Sequence, residues 1–172
     1  MQRGYIQLYT GNGKGKTTAA IGLAVRALGA GLSVFMGQFV KGMHYSELDA
    51  LKVFAPRLVL KQYGRDCFIR NAPTEEDIRL AREGFAEIKQ VVFSGGCDLV
   101  IMDEITIANY YKLIRVEAVL EILENRPSGV ELVLTGRYAD ERLIKAADLV
   151  TEMMEVKHYY TRNVQARDGI EK

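Results

Sequence analysis

The chain has 172 residues, 48% of them hydrophobic, which is enough to bury a substantial core, and we expect a single domain spanning residues 1–172. The 23 lysines and arginines nearly balance the 22 aspartates and glutamates, so the net charge of +1 excludes a general attraction to nucleic acid or to an anionic membrane. Cys67 and Cys97 have neither the spacing nor the neighbouring histidines of a zinc site or a disulfide framework. Since no apolar stretch approaches the roughly 18 residues of a membrane span, we expect a soluble cytoplasmic protein.

Six apolar segments of strand length are separated by segments with helical spacing. In chain order the predicted strands are 5–9, 32–39, 58–63, 99–103, 130–135 and 149–154. This alternation is typical of βαβ units, which form a mostly parallel sheet. The segments DLVIMDE and VELVLTGR are apolar at nearly every position, as expected for central strands that are covered on both faces.

Three helices are predicted between these strands. The first covers residues 16–28, directly after a glycine-rich stretch. The second begins after Thr74, a good N-cap that is followed by three acidic residues, and its apolar stripe ends near Gly95. The third covers about residues 116–124 and is stopped by Pro127.

The glycine-rich stretch GNGKGKTT, residues 11–18, lies between the first predicted strand and the first predicted helix. Such a loop gathers unpaired backbone N–H groups at the positive end of a helix dipole, an arrangement that binds phosphate. Lys16 would add positive charge, and the Thr17 hydroxyl would bind a magnesium ion. The loop is one residue shorter than the usual P-loop, because Thr10 stands where the first glycine is expected. We therefore predict an α/β fold, a single-domain P-loop NTPase-like (RecA-like) sheet of about six strands with helices on both faces.

Charged residues directly follow two of the predicted central strands. Asp103 and Glu104 end the segment LVIMDE, where a P-loop protein carries acids that hold magnesium. Arg137 ends LVLTGR and should emerge at the same edge of the sheet, where its planar guanidinium suits a phosphate. The residues alone also allow a solvated acid pair and an ordinary surface arginine at these positions.

Several segments together resemble one enzyme family over nearly the whole chain. These are, in order, TGNGKGKTTAAIGLAVRALG, GQFVKG, VIMDEI, LVLTGR and ADLVTEMMEVKHYY, and they are similar to the P-loop corrinoid adenosyltransferases. That family moves the 5′-deoxyadenosyl group of ATP onto the Co(I) of a reduced corrinoid, such as cob(I)alamin or cob(I)yrinic acid a,c-diamide, and releases triphosphate. The resemblance implies ATP and a reduced corrinoid as substrates, Mg²⁺ as cofactor, a reductase or flavoprotein as electron donor, and a homodimer.

The resemblance also implies roles for individual residues. Nucleotide or corrinoid binding falls on Gly11, Asn12, Gly13, Lys14, Gly15, Lys16, Thr17, Thr18, Arg26, Gln38, Lys41, Phe68 and Arg137. Lys16, Glu104 and Arg137 would be catalytic, and Thr17, Asp103 and Glu104 would hold the magnesium ion. Arg26 could equally be a solvated helix arginine.

One segment departs from the better-known bacterial members, in which the aromatics of a Gly-Phe-x-Trp stretch displace the lower axial ligand of the corrinoid. Here residues 64–69 read GRDCFI and the chain has no tryptophan, so Phe68 alone is expected to serve. The tail residues 157–160, KHYY, are expected to dock over the site, to contact a second subunit, or simply to anchor the terminus. Two other functions stay open: a P-loop nucleoside kinase or NTPase, and a nucleotide-dependent corrinoid-binding module without transfer chemistry.

Overall fold

The computed structural model describes residues 2–66 and 72–172, and within these ranges the chain forms six strands and six α-helices. The strands are β1 Ile6–Thr10, β2 Val34–Phe39, β3 Leu58–Tyr63, β4 Leu99–Asp103, β5 Glu131–Thr135 and β6 Leu149–Glu152. The helices are α1 Lys16–Gly29, α2 Ser46–Ala50, α3 Glu75–Ser94, α4 Ile105–Tyr110, α5 Val116–Asn125 and α6 Glu141–Ala146. Short 3₁₀ turns cover Leu51–Phe54 and Tyr159–Arg162.

The strands form one sheet with the order β3-β2-β4-β5-β1-β6, and all the neighbouring strands are parallel. The predicted α/β class and six-stranded parallel sheet are therefore confirmed. β4 and β5 are central, as their continuous apolar sequences predicted, because a strand buried on both faces has no polar side. β6 is an edge strand, and all four of its residues are exposed.

Alternate residues of the strands point to opposite faces of the sheet, and each face is covered by helices. On one face, α3, α4, α5 and α6 pack on a cluster that includes Leu8, Phe35, Met102 and Leu132. On the other face, α1 packs on a cluster that includes Met36, Ile101 and Val133. Within the described ranges, no helix has both the length and the apolar character that crossing a membrane requires.

Local sequence signals set the ends of α3. The Thr74 hydroxyl accepts a hydrogen bond from the Asp77 backbone N–H at 3.3 Å, and the Asp77 carboxylate accepts one from the Thr74 N–H at 2.8 Å. This reciprocal pair is a capping box, so the predicted N-cap is confirmed. At the other end, Gly95 takes the left-handed conformation, with φ of 64°, that favours glycine.

The structure differs from the sequence prediction mainly in short elements. β2 begins at Val34 rather than at residue 32, and β6 ends at Glu152 rather than at residue 154. The helices α2, α4 and α6 were not predicted. Each has only five or six residues, too few to show the recurring apolar stripe by which a helix is recognised in sequence.

The parallel register brings the carboxyl ends of several strands to one edge. Gln38 of β2 pairs with Asp103 of β4, and Tyr9 of β1 pairs with Thr135 of β5. β5 lies between the strand that carries the acids and the strand that leads into the glycine-rich loop. The loop, the acids and Arg137 therefore emerge side by side.

Candidate active site

The glycine-rich loop joins β1 to α1 and folds around a buried lysine. Gly11 and Gly15 have φ values of 94° and 122°, which side chains other than glycine rarely adopt. Lys16 is only 6% exposed, and its Nζ donates hydrogen bonds to the carbonyl oxygens of Gly11 and Gly13, both at 2.7 Å. Burial lowers the pKa of Lys16, although the charge of Glu104 opposes that shift.

The chain that follows β6 packs directly on this loop. The Gly13 N–H donates to the Met153 carbonyl at 2.6 Å, and the Met153 N–H donates to the Thr10 carbonyl at 2.8 Å. A Cβ at Gly11 would lie 2.5 Å from the Met153 oxygen, and one at Gly13 would lie 2.7 Å from it. Both positions therefore need glycine, because the two backbones touch.

Asp103 is the centre of a buried polar cluster at the end of β4. Its side chain is fully buried and accepts hydrogen bonds from two hydroxyls, one amide and one ammonium. The donors are Thr17 Oγ1 at 2.9 Å, Thr135 Oγ1 at 2.6 Å, Gln38 Nε2 at 3.3 Å and Lys41 Nζ at 2.8 Å. Three of the four, Thr17, Gln38 and Lys41, are residues that the sequence placed in the site.

Glu104 lies beside this cluster in a left-handed conformation, with φ of 59°. Its backbone N–H donates to Thr135 Oγ1 at 2.9 Å, whereas its carboxylate receives no hydrogen bond from the residues that the structure describes. Burial raises the pKa of Glu104, and the charge of Asp103 raises it further; Lys41, Lys16 and Arg137 act in the opposite direction. A partly buried carboxylate without a hydrogen-bond donor is well suited to receive a cation.

The donor atoms near Asp103 suit a magnesium ion that shares its ligands with a substrate. Thr17, Asp103 and Glu104 offer one hydroxyl and two carboxylates, which are hard oxygen ligands. Among the described residues, no group of three or more His, Cys, Asp or Glu side chains is arranged to hold a metal ion. Mg²⁺ is commonly bound by one or two carboxylates together with phosphate and water oxygens, so these residues fit it.

Three strand ends at this edge continue into a left-handed residue other than glycine. These are Val40 after β2, Glu104 after β4 and Tyr138 near the end of β5, with φ of 51°, 59° and 58°. Each such conformation costs on the order of 1 kcal/mol, and the cost is highest for a β-branched residue such as Val40. Strained backbone of this kind is concentrated at functional sites, which supports placing the site at this edge.

Arg137 is exposed at the same edge, and hydrogen bonds fix the backbone at Gly136 and Arg137. The Thr106 hydroxyl is buried and donates to the Arg137 carbonyl at 2.6 Å, while the Gly136 N–H donates to the Tyr9 carbonyl at 3.1 Å. Gly136 has φ of 134°, and a Cβ there would collide with the Thr106 hydroxyl. The positive charge of Arg137 acts to lower the pKa of both Lys16 and Glu104, so its guanidinium lies close enough to interact electrostatically with both side chains.

The C-terminal tail covers the outer side of the loop. Lys14 Nζ lies 2.7 Å from Glu171 Oε1, and it also donates to the Ile170 carbonyl at 2.9 Å and to the Tyr159 hydroxyl at 3.1 Å. The Ser46 hydroxyl donates to the Lys172 carbonyl at 3.0 Å. The tail therefore docks on the glycine-rich loop and is anchored there, while the expected contact with a second subunit stays a prediction.

Three predicted site residues have exposed side chains and do not belong to the buried cluster. Arg26 is exposed in the last turn of α1, ten residues beyond Lys16, which corresponds to about 15 Å along the helix axis. Asn12 and Thr18 are exposed at the start of the loop and in the first turn of α1. Phe68, like Cys67, lies outside the described residues, so its predicted role stays a prediction.

Sequence reasoning missed two buried hydroxyls that organise the site. Thr135 contacts both acids, and Thr106 holds the backbone of Arg137. Thr135 carried a usable signal, because it is a polar residue at the end of the apolar run ELVLT, immediately before Gly136 and Arg137. Thr106 lies in a helix too short to be recognised, and its sequence gave no comparable signal.

Comparison with known proteins gave consistent matches along the whole chain. A family model described as ATP:corrinoid adenosyltransferase BtuR/CobO/CobP matches residues 2–171. The chain is 34% identical over 171 residues to the corrinoid adenosyltransferase of Escherichia coli, covering 99% of this chain and 86% of that protein. It is 33% identical over 171 residues to the corrinoid adenosyltransferase of Pseudomonas aeruginosa and to the corrinoid adenosyltransferase CobA of Salmonella typhimurium. These matches cover 99% of this chain, and 84% and 86% of those two proteins.

Proposed function

Because the chain belongs to the ATP:corrinoid adenosyltransferase family BtuR/CobO/CobP, we propose that it transfers the 5′-deoxyadenosyl group of ATP to the Co(I) of a reduced corrinoid. Triphosphate is the second product, and the reaction serves adenosylcobalamin biosynthesis or salvage. The observation in the fold that best supports this proposal is the contact between Thr17 of the glycine-rich loop and Asp103 of β4, at 2.9 Å. It joins a phosphate-binding loop to the acidic end of a neighbouring strand, as a nucleotide site requires.

The chemistry requires the protein mainly to position ATP and to stabilise its leaving group. The electron pair of Co(I) attacks C5′ of the ribose and forms a cobalt–carbon bond, the C5′–O bond breaks, and its electron pair leaves on the triphosphate. Negative charge therefore grows on the triphosphate in the transition state. The loop N–H groups, Lys16 and Arg137 are the positive groups that we assign to this charge.

Mg²⁺ is proposed to be held by Thr17, Asp103 and Glu104, whose oxygen atoms suit it. When bound, it would add positive charge beside the triphosphate. Gln38 and Thr135 would hold the Asp103 carboxylate in place, because each donates a hydrogen bond to it. Glu104, whose carboxylate accepts no hydrogen bond from the described residues, would turn its oxygens towards the ion.

Other parts of the assignment, which come from the family resemblance or from length and composition, remain proposals. They are a homodimer, a reductase or flavoprotein that supplies the electrons for Co(I), a cytoplasmic location, a single domain, and a role for Phe68 at the lower face of the corrinoid. Arg26 is proposed to act near the nucleotide only if bound ATP, or a second copy of the chain, reaches the far end of α1.

The decisive test is an anaerobic assay with ATP, Mg²⁺ and chemically reduced cob(I)alamin. The visible spectrum reports the alkyl–cobalt product, and chromatography separates triphosphate from ADP and phosphate. We expect adenosylcobalamin and triphosphate in equal amounts, loss of both with Lys16→Ala, and full activity with Lys52→Ala, whose exposed side chain pairs with Asp49. ADP or free phosphate without an alkyl–cobalt product would indicate a kinase or NTPase, and binding of both substrates without turnover would indicate a corrinoid-binding module.

A further inference from the structure

We propose that the ammonium group of Lys41 holds the place of the metal ion between Thr17 and Asp103, and that a divalent cation can bind there only after Lys41 has moved away. The inference rests on the proposed magnesium site and adds a rule for how that site is filled. The metal would enter together with the nucleotide, because the phosphates offer Lys41 another anionic partner. Lys41 is thus a positioning residue that links nucleotide binding to metal binding.

The Lys41 ammonium occupies the position between Thr17 and Asp103. Its Nζ lies 2.8 Å from Asp103 Oδ2 and 3.3 Å from Thr17 Oγ1, while Thr17 Oγ1 donates to the other oxygen of Asp103 at 2.9 Å. The ammonium therefore bridges two of the three residues assigned to the metal. Mg²⁺ bound to the same oxygens would lie roughly 2.1 Å from each, too close to leave room for the ammonium.

The backbone on both sides of Lys41 is fixed, so this contact is built into the fold. Val40 before it is left-handed. A Cβ on Gly42 after it would collide with the Gly64 carbonyl, and a Cβ on Gly64 would lie 2.5 Å from the Lys41 nitrogen. Backbone thus packs on backbone here, and the Lys41 side chain is only 15% exposed.

The positive charge of Lys41 also opposes metal binding. Asp103 is fully buried, and Lys41 forms an ion pair with it. The 2.8 Å contact between Lys41 Nζ and Asp103 Oδ2 pairs an ammonium with a carboxylate at a place that little water reaches. An ammonium and a divalent cation beside one carboxylate repel each other strongly where little water can screen them.

The test measures metal binding directly, with Mn²⁺ as the probe and electron paramagnetic resonance as the readout. In the absence of nucleotide, Lys41→Met and Lys41→Gln should bind Mn²⁺ on the order of tenfold more tightly than the wild type, because the competing charge is gone. Lys41→Gln keeps a donor for Asp103 and guards against loss of the fold in Lys41→Met. The matched control is Lys61→Met, which removes one exposed lysine from the neighbouring strand β3 and should leave the affinity unchanged.

The outcomes separate this inference from the proposed function. If the wild type binds Mn²⁺ tightly with ATP, and neither folded Lys41 variant gains affinity for free Mn²⁺, the inference is wrong while the magnesium site stands. If the wild type binds no Mn²⁺ even with ATP, the inference and the magnesium site are both wrong, and the adenosyl transfer assay decides the function independently. A gain in both Lys41 variants, without a gain in Lys61→Met, supports the inference.

Discussion

The Thr135 hydroxyl donates a 2.6 Å hydrogen bond to Asp103 Oδ1, and both side chains are completely buried. The same hydroxyl oxygen accepts the backbone N–H of Glu104 at 2.9 Å. One side chain at the end of β5 therefore fixes the carboxylate of one acid and the backbone of the next.

Replacing Thr135 with valine should damage both stability and activity. The shape is nearly unchanged, but Asp103 loses a donor and the Glu104 N–H loses its acceptor, so the free energy of unfolding should fall by about 1–3 kcal/mol. Displacement of the acids should also lower kcat by at least about tenfold. Chemical denaturation and the adenosyl transfer assay measure the two effects. Thr151→Val, on the exposed strand β6, is the control and should change neither; an unchanged kcat in Thr135→Val would contradict the assigned role.

Adding one methyl group at Gly13 should disturb nucleotide binding. The new Cβ would lie 2.7 Å from the Met153 oxygen and 2.8 Å from the Met154 oxygen, so either the loop or the covering segment must shift. We expect Gly13→Ala to lower kcat/KM for ATP by at least about tenfold, since small displacements of binding groups are costly.

Gly22 is a matched control for that substitution. It lies in the interior of α1, and a Cβ there would meet nothing within 4 Å. Gly22→Ala should therefore raise the free energy of unfolding by about 0.5–1 kcal/mol, because alanine is the better helix former, and leave kcat/KM unchanged. Equal activity of the two variants would show that the backbone contact at Gly13 is not needed.

Asp77 should make the stability of α3 depend on pH. Burial acts to raise its pKa, but hydrogen bonds from Arg65, at 2.7 and 3.0 Å, and from Thr74 outweigh it and hold the pKa below the usual range. A lowered folded-state pKa stabilises the fold above the unfolded value of about 3.9, and this contribution is lost as the pH falls through the folded-state pKa.

The variant Asp77→Asn tests this linkage by urea denaturation at several pH values. At pH near 7 its free energy of unfolding should be about 1–3 kcal/mol lower than that of the wild type, since charge-assisted hydrogen bonds are lost. The difference should shrink once the pH falls below about 3.9. Asp49→Asn, whose carboxylate is exposed, should show little effect, and a difference for Asp77→Asn that does not vary with pH would refute the linkage.

The tail should loosen when its contact with Lys14 is weakened. The Glu171 carboxylate forms ion pairs with Lys14 Nζ at 2.7 Å and with Arg167 Nη2 at 3.2 Å, and the Tyr159 hydroxyl contacts the same carboxylate. We expect Glu171→Gln to speed trypsin cleavage after residue 162 or 167 several-fold, because a neutral amide holds the lysine less well, while the unfolding temperature of the core stays the same. Asp168→Asn, whose carboxylate is exposed, is the control. Unchanged cleavage would mean that the tail is held by other contacts.

Much of the fold was predicted from the sequence because the decisive signals are local. Residues 99–103 and 130–135 predicted central strands because they are apolar at nearly every position, and Thr74 predicted the start of α3 by its capping chemistry. The short helix α4 was missed, because six residues make less than two turns and show no periodicity. The end of β2 at residue 39 was predicted correctly, yet no feature of the sequence indicated that the backbone of Val40 would be left-handed.

The sequence by itself determined the glycine-rich loop, the acids at the end of β4 and the arginine after β5, because each is a residue type at a fixed position relative to its own strand. Only the tertiary structure decided which side chains meet. Lys41 reaches Asp103 across 62 residues, and Lys14 reaches Glu171 across 157. Such contacts depend on strand order and on how each strand end turns, and both are set by packing over the whole sheet.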